Sequence, residues 1–512
     1  MKHSMHKGGT KLDVLYSLQF GIQYLIEDPL TILFLIVGIF GGMVFGSIPG
    51  LTAALGVSLM LPFTFVMPPQ QGLTVLIGIY VGGISGGLVS AVLLNIPGSP
   101  ASIVTCFDGA PMAKNGRPGD ALTLGVFASL IGGLISAVAL VVIAPQLAKV
   151  ALAFRPWEYF AMGLMGLSVV VSLSSKDIVK GLMSAVVGVL IAMVGIDPVS
   201  SAERFTFGMW QLGAGLDLLA TLMGLFALAE ILTQLRTIGQ KFTTLEVQKV
   251  PMLPSKNLIK GHGKAFGIAS IIGTCIGILP GVGQSTASLL SYNQVRQMSK
   301  TPEKFGTGHP EGIIASEAAN NACCGGALIP MMTMGVPGDL VTAVLLGGLV
   351  IHGLQPGPLL FTTNKNVVGS IFVAYILANI IMYIMEMGLM KVFIKLLKII
   401  PLNFLFPLIL LMCVVGTITV NNRIFDSWVL LVIGILGYIL LNAGFSLPPI
   451  VLGYVLGPII ESNFRIAVIG TQGSVLPLFG RPIAMGLLLF GALMVCWPMI
   501  SKSLKRNRKR VR

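Results

Sequence analysis

The chain has 512 residues, of which 54% are hydrophobic and only 10% charged, and its mean hydropathy is +0.90. A soluble domain carries about 25% charged residues, so this much apolar surface excludes the ordinary soluble enzyme classes and marks an integral membrane protein. The net charge of +14 raises nucleic-acid binding, but the basic residues gather in short interruptions between apolar runs, where the positive-inside rule explains them better as cytoplasmic loops.

In chain order, Met1 to Asp13 is polar and basic, and Leu12 to Ile26 reads as an interfacial helix or a short first span, without a clean signal-peptide core. Apolar segments then run over 30–47, 51–67, 72–95, 121–144, 157–174, 179–196 and 216–235. After the basic stretch Arg236 to Lys264 they resume at 266–279, 282–293, 312–334, 340–354, 367–390, 402–420, 428–442, 448–460 and 483–500. At about 20 residues per span the chain holds roughly 10 to 13 helices. The runs are continuous and lack two-residue alternation, which argues against a barrel. Segments 282–293, 340–354 and 448–460 are too short to cross alone, and short runs beside Pro-Gly point to re-entrant or broken helices. The expected organisation is a 1–29 N-terminal segment, a first transmembrane repeat over 30–235, a basic cytoplasmic linker over 236–265, a second repeat with C-terminal helices over 266–500, and a basic tail over 501–512. That tail has seven basic residues and no acid from Lys502 to Arg512. The six cysteines form no zinc-type spacing and read as small packing residues.

The two halves repeat. Residues 42–50 read GMVFGSIPG and residues 273–281 read GTCIGILPG, both fitting G-x-x-x-G-x-x-P-G. Asn95-Ile96-Pro97-Gly98-Ser99 likewise lies opposite Gly335-Val336-Pro337-Gly338-Asp339. Each second motif follows a glycine-rich run: Gly82, Gly83, Gly86 and Gly87 in one half, Gly325 and Gly326 in the other. The loop Phe63 to Gly72 has no charge whereas its counterpart Asn293 to Gly312 is basic. The loop with Lys114 and Arg117 is matched by His352 to Asn364, which has neither Lys nor Arg. Equivalent loops therefore prefer opposite sides, as an inverted repeat requires.

A Pro-Gly inside an apolar run interrupts the backbone ladder, and hydrocarbon supplies no partner for the freed groups. A polar guest can: the N–H groups of the following helix suit a carboxylate, and the carbonyls of the preceding one suit a cation. The candidate substrate contacts are the breaks Pro49-Gly50, Pro97-Gly98, Pro280-Gly281 and Pro337-Gly338, with Thr52, Asn95, Ser99, Gln284, Ser285 and Thr286 beside them. Ser102 and Thr342 flank two of them. Each hydroxyl or acid has a competing role as a helix cap, Ser99 and Asp339 above all. Asn95, Glu317, Asn320, Asn321 and Asp339 are the candidates for a coupling cation, Na+ or H+. Glu317 shares a helix face with both asparagines, and an intramembrane carboxylate points to an ion site; the competing reading puts it at the membrane surface. Glu230, Glu386 and Glu461 read as interfacial. Gly42–Gly46 and Gly82–Gly87 could equally be helix-packing faces. No phosphate-binding loop, H-E-x-x-H or G-x-S-x-G occurs, which leaves His309, Glu311 and Glu317 as the only acid/base cluster for a membrane enzyme. No cofactor is expected.

The runs at 42–65, 78–122, 273–293 and 309–339, the last reading HPEGIIASEAANNACCGGALIPMMTMGVPGD, closely resemble the large membrane subunit, TctA type, of tripartite tricarboxylate transporters, over roughly residues 14 to 500. The resemblance implies an all-α polytopic permease of about 12 helices in the bacterial inner membrane. It implies carboxylate uptake driven by an ion gradient, together with a small four-helix membrane subunit and a periplasmic solute-binding protein. Carried over by motif, the four Pro-Gly breaks frame the substrate and ion sites. The reading is an ion-driven secondary transporter with inverted repeats; a passive anion channel and a membrane-embedded enzyme are its rivals.

Overall fold

The computed structural model describes residues 9–174, 177–235, 247, 250–399 and 402–510. Within them the chain is all-α but for one two-stranded antiparallel hairpin, Gly195–Ile196 with Glu203–Arg204. Six described helices are long and apolar enough to cross a bilayer: Pro29–Ser47, Pro69–Leu94, Pro118–Ala151, Lys365–Leu396, Phe425–Asn442 and Leu447–Gly470. Shorter apolar helices accompany them, among them Ala53–Thr64, Gly263–Ile278 and Leu340–Ile351. The protein is a polytopic membrane protein whose apolar length is divided between long and broken helices. The Gly9–Glu27 segment is a helix packed on Lys365–Ile399, with Ser17 and Gly21 lying against Gly369. Of the basic stretch expected as a linker, residues 236–246, 248 and 249 lie outside the described residues. Its end is anchored: Thr123 donates to the Pro251 carbonyl (2.9 Å) and Tyr383 to that of Met252 (2.6 Å).

The sequence dictates where helices start. Proline opens Pro29–Ser47, Pro69–Leu94, Pro118–Ala151 and Pro310–Met334 at the first-turn position that needs no N–H. With lipid offering no hydrophobic drive between helices, small residues set the packing. Pro29–Ser47 packs on Pro69–Leu94, and Gly263–Ile278 packs on Pro310–Met334. The close approaches match across the halves. A Cβ on Gly98 would strike the carbonyl of Gly46, and one on Gly338 would strike the carbonyl of Gly277. The glycine runs thus are packing faces, with Gly42 and Gly46 lying against Ile79 and Gly83. The loops also pair by charge. Asn115 donates to Thr307 (3.2 Å) and Gly308 lies on Met112, so the basic loops adjoin; Gly72 lies against the His352 ring, so the uncharged loops adjoin.

A second bundle joins Pro156–Ser174, Ile178–Ala192, Leu447–Gly470 and Pro482–Arg510. Beside it the hairpin is tied by Arg204 to Glu461 (2.5 Å) and by Arg465 to Asp197. The Ser200 hydroxyl, the Val199 N–H and Arg465 hold the Asp197 carboxyl well below the usual carboxylate range.

Filling the matched approaches should separate the helices. Gly46→Val and Gly277→Val are each expected to lower stability by about 1–3 kcal/mol or more, whereas Gly41→Val, with nothing within 4 Å of its added carbon, should be near neutral. Thermal unfolding of the purified protein in detergent checks the contrast.

Candidate substrate and ion site

The two first breaks are built alike. Pro29–Ser47 ends on Ile48 in extended conformation (φ −88°, ψ 119°), and Gly263–Ile278 ends on Leu279 in the same one (φ −78°, ψ 124°). Pro49 and Pro280 follow, then Gly50 at φ 87° and Gly281 at φ 67°, a region open to glycine at no steric cost. A new helix starts at once: Ala53–Thr64, or Gly283–Met298. The second breaks also match. Pro69–Leu94 is closed by Asn95 at φ 55° and Pro310–Met334 by Gly335 at φ 70°, both left-handed caps. Pro97-Gly98 leads to the short turn Pro100–Ser102, and Pro337-Gly338 leads to Leu340–Ile351. The second-half breaks touch, Gly281 N–H donating to the Pro337 carbonyl (3.2 Å).

Several candidate side chains act as caps. Thr52 accepts from the Leu55 N–H (3.1 Å). Asp339 accepts from the Thr342 N–H (2.6 Å) while Thr342 Oγ1 accepts from the Asp339 N–H (2.9 Å), a reciprocal capping box. Asn95 is exposed and its backbone closes a helix. Ser285 and Thr286 are half-buried on the first turn after Pro280-Gly281. Ser99 does not cap: its Oγ and that of Ser102 are buried, lack a hydrogen-bond partner, and both point over Gly87.

The breaks meet across the halves. Asp339 Oδ2, from the second half, accepts from Tyr80 in the middle of Pro69–Leu94 and from Gln284. Gln284 Nε2 also lies 3.0 Å from the Tyr80 hydroxyl. Ser288 donates toward the Ala101 carbonyl (3.5 Å), which brings Gly283–Met298 against the Pro100–Ser102 turn. Asp339 is therefore a fully partnered buried carboxylate, as a charge removed from water requires.

Glu317 is fully buried rather than at the surface, because Pro310–Met334 is enclosed by neighbouring helices. Its carboxylate accepts from Thr105, from Ser129 (3.1 Å) and from Asn320 (3.4 Å). Asn321 donates to Asn320 (2.6 Å) and to the Glu317 carbonyl (3.1 Å), and its own Oδ1 is buried without a partner. These are hydroxyl and amide groups around one acid; no cluster of three or more His, Cys, Asp or Glu suited to a metal occurs among the described residues. Glu386, expected at the interface, is also fully buried, its Oε2 accepting from Ser85 (2.5 Å). Sequence reasoning missed Tyr80, Thr105 and Ser129, whose partners are distant in the chain, and Tyr375, which donates to the Asn321 carbonyl (3.3 Å). It also missed Asp108. That acid accepts from the N–H groups of Gly306 (2.9 Å), Gly308 (2.9 Å) and His309 (2.7 Å) and from the Tyr292 hydroxyl (2.7 Å). An acid without a helical partner, ten residues past a Pro-Gly, was the available signal.

The same ordered motifs decide the family. The family model described as "Tripartite tricarboxylate transporter TctA family" matches residues 32–452. The chain belongs to the TctA family of tripartite tricarboxylate transporters. It is 34% identical over 500 residues to an uncharacterized 52.8 kDa protein in the TAR-I ttuC' 3' region of Agrobacterium vitis, covering 98% of this chain and 99% of that one. It is 35% identical over 239 residues to an uncharacterized protein in the TAR-II ttuC' 3' region of the same organism, covering 47% of this chain and 98% of that one. No solved structure matches. Membership makes this chain a transporter membrane component, and all four breaks of the TctA-family chain lie inside the matched region.

Asp108 pins the 299–309 loop to the first half through charge-assisted bonds worth roughly 1.5–3 kcal/mol each. Asp108→Asn should therefore raise hydrogen exchange at the Gly306, Gly308 and His309 amides by about tenfold or more, measured by mass spectrometry, with little change at Leu340–Ile351.

Proposed function

We propose that the protein is the permease subunit of an ion-gradient-driven secondary transporter that imports a di- or tricarboxylate across the bacterial inner membrane. A periplasmic solute-binding protein delivers the substrate, and a small four-helix membrane subunit completes the complex. Family membership supports transport rather than covalent chemistry. The observation that carries the site is the convergence of breaks from both halves, through Gln284 on Tyr80 and Ser288 on Ala101, beside the unpartnered hydroxyls of Ser99 and Ser102.

The halves form an inverted repeat over 30–235 and 266–500. The matched break conformations, the paired Gly46–Gly98 and Gly277–Gly338 approaches and the separate pairing of basic and uncharged loops support it. Between the halves, the substrate carboxylate takes hydrogen bonds from Ser99 and Ser102 and from the first turn of Gly283–Met298, where Ser285 and Thr286 stand and the helix dipole favours an anion. The Pro49, Pro97, Pro280 and Pro337 breaks give the close backbone approach, with Thr52 and Gln284 at the edge of the site. The coupling cation, Na+ or H+, belongs to the acid-and-amide side: Glu317, Asn320 and Asn321, with Asp339 and Asn95 holding the breaks. One half moves against the other to expose the site alternately.

In proteoliposomes carrying the complete complex, carboxylate uptake should saturate and accumulate under an imposed Na+ or pH gradient. Ser99→Ala with Ser102→Ala should raise KM about tenfold or more, the loss of hydrogen bonds to a charged group, with the protein still folded. Uptake that needs ATP, or a KM unmoved by the double substitution, rejects the reading.

A further inference from the structure

Glu386 and Ser85 are not among the proposed carboxylate contacts, and they lie on helices from different halves. Ser85 sits among Gly82, Gly83, Gly86 and Gly87 of Pro69–Leu94, and Glu386 faces it from Lys365–Ile399. Both side chains are wholly excluded from solvent. Ser85 donates to Glu386 Oε2 at 2.5 Å, while Glu386 Oε1 is buried with no hydrogen-bond partner. An ionised carboxylate in that position would hold a bare oxygen in a low-dielectric interior, one of the costliest arrangements a protein can adopt.

Among the described residues Glu386 forms no ion pair and joins no metal-type cluster. The helices packed on Lys365–Ile399 include Gly9–Glu27, Pro29–Ser47, Pro69–Leu94 and Pro118–Ala151. Pro29–Ser47 and Pro69–Leu94 contain no Asp, Glu, Lys, Arg or His, and the titratable group of the latter, Tyr80, is bonded to Asp339. Pro118–Ala151 has only Asp120 and Lys149, near its two ends. Gly9–Glu27 meets the helix at Gly369 and Val373; its charged residues are Lys11, Asp13 and Glu27, of which Glu27 is exposed and bonded by Gln23. On its own helix, Lys391 and Lys395 are exposed, Lys365 and Lys398 lie near its two ends, Tyr383 donates to Met252, and Tyr375 donates to the Asn321 carbonyl with Ser136 at its hydroxyl. Glu317, another buried acid, supplies no positive charge. One serine hydroxyl beside a carboxylate is also too sparse a shell for a hard metal ion, which gathers six or so oxygens. Glu317 contrasts with it, having three side-chain donors to its oxygens.

We propose that Glu386 is a proton-binding site of the transport cycle and that it makes H+ the coupling ion. This rests on the transport reading above, narrows its choice of cation to H+, and adds Glu386 to the Glu317 group as a place where that proton binds. When the proton arrives, an O–H bond forms at Oε1, hydronium becomes water, and the neutral acid keeps Ser85 as its donor. In that form the two helices can stay packed with the acid between them. When the O–H bond breaks, the proton passes to water and a charge with a bare oxygen is left between Lys365–Ile399 and Pro69–Leu94, so the interface must open to water. Pro69–Leu94 carries both Ser85 and Tyr80, the link to Asp339 and Gln284. Proton loss at Glu386 is thereby tied mechanically to the break cluster.

Two readouts on the full-length chain in lipid test it. The infrared difference between wild type and Glu386→Gln at neutral pH should contain the carbonyl stretch of a protonated carboxylic acid, which fades as pH is raised; a spectrum without that band overturns the site whatever the substrate proves to be. In proteoliposomes with the partner proteins, a one-unit pH gradient should drive about tenfold carboxylate accumulation by wild type. Glu386→Gln should accumulate none, yet still exchange internal for external carboxylate. Accumulation by Glu386→Gln equal to wild type overturns the coupling role, as does loss of exchange together with accumulation, which marks a merely structural residue. A wild type that moves no carboxylate at all fails the transport reading instead, and the infrared band still decides the proton site.

Discussion

Every unusual feature of this fold follows from one constraint: a helix broken inside hydrocarbon must find partners for its freed N–H and carbonyl groups within the protein. The chain breaks four times at Pro-Gly, and each break is met by the same few devices. Left-handed caps at Asn95 and Gly335 close two helices, Thr52 and Asp339 start two others, and glycine pairs bring the carbonyls of Gly46 and Gly277 against the neighbouring break. Groups left over after this accounting, the hydroxyls of Ser99 and Ser102 above all, are where a polar guest has something to bind.

The buried acids show how the same accounting extends to side chains. Asp108 is surrounded by three backbone N–H groups and a tyrosine, Asp339 by Tyr80, Gln284 and its own helix start, and Glu317 by hydroxyls and an amide. These three tie together segments from different halves, so they hold the halves in register while capping what the breaks leave open. Glu386, with one donor, differs in kind.

Much of this was legible in the sequence because it was local. The Pro-Gly motifs announced the breaks, and composition alone placed the chain in a membrane. Asp339 as a cap follows from its position after Gly338. What could not be read was long-range. The pairings of Tyr80 with Asp339 and of Thr105 with Glu317 join residues more than two hundred apart in sequence, and no period or motif encodes them. Glu386 read as interfacial; in the helix the nearby Lys391 and Lys395 are exposed while it is buried. Apolar run length misled at 448–460, which looked too short to cross alone: the helix continues through polar residues over Leu447–Gly470 and is long enough to span.

The central claim is that the breaks of both halves enclose a single polar guest, and a structure of the complex determined with a tricarboxylate or dicarboxylate bound tests it most directly. The account predicts ligand density between the Pro100–Ser102 turn and the first turn of Gly283–Met298, within hydrogen-bond reach of the Ser99 and Ser102 hydroxyls. Density bound elsewhere, with those two hydroxyls still unpartnered, would contradict it.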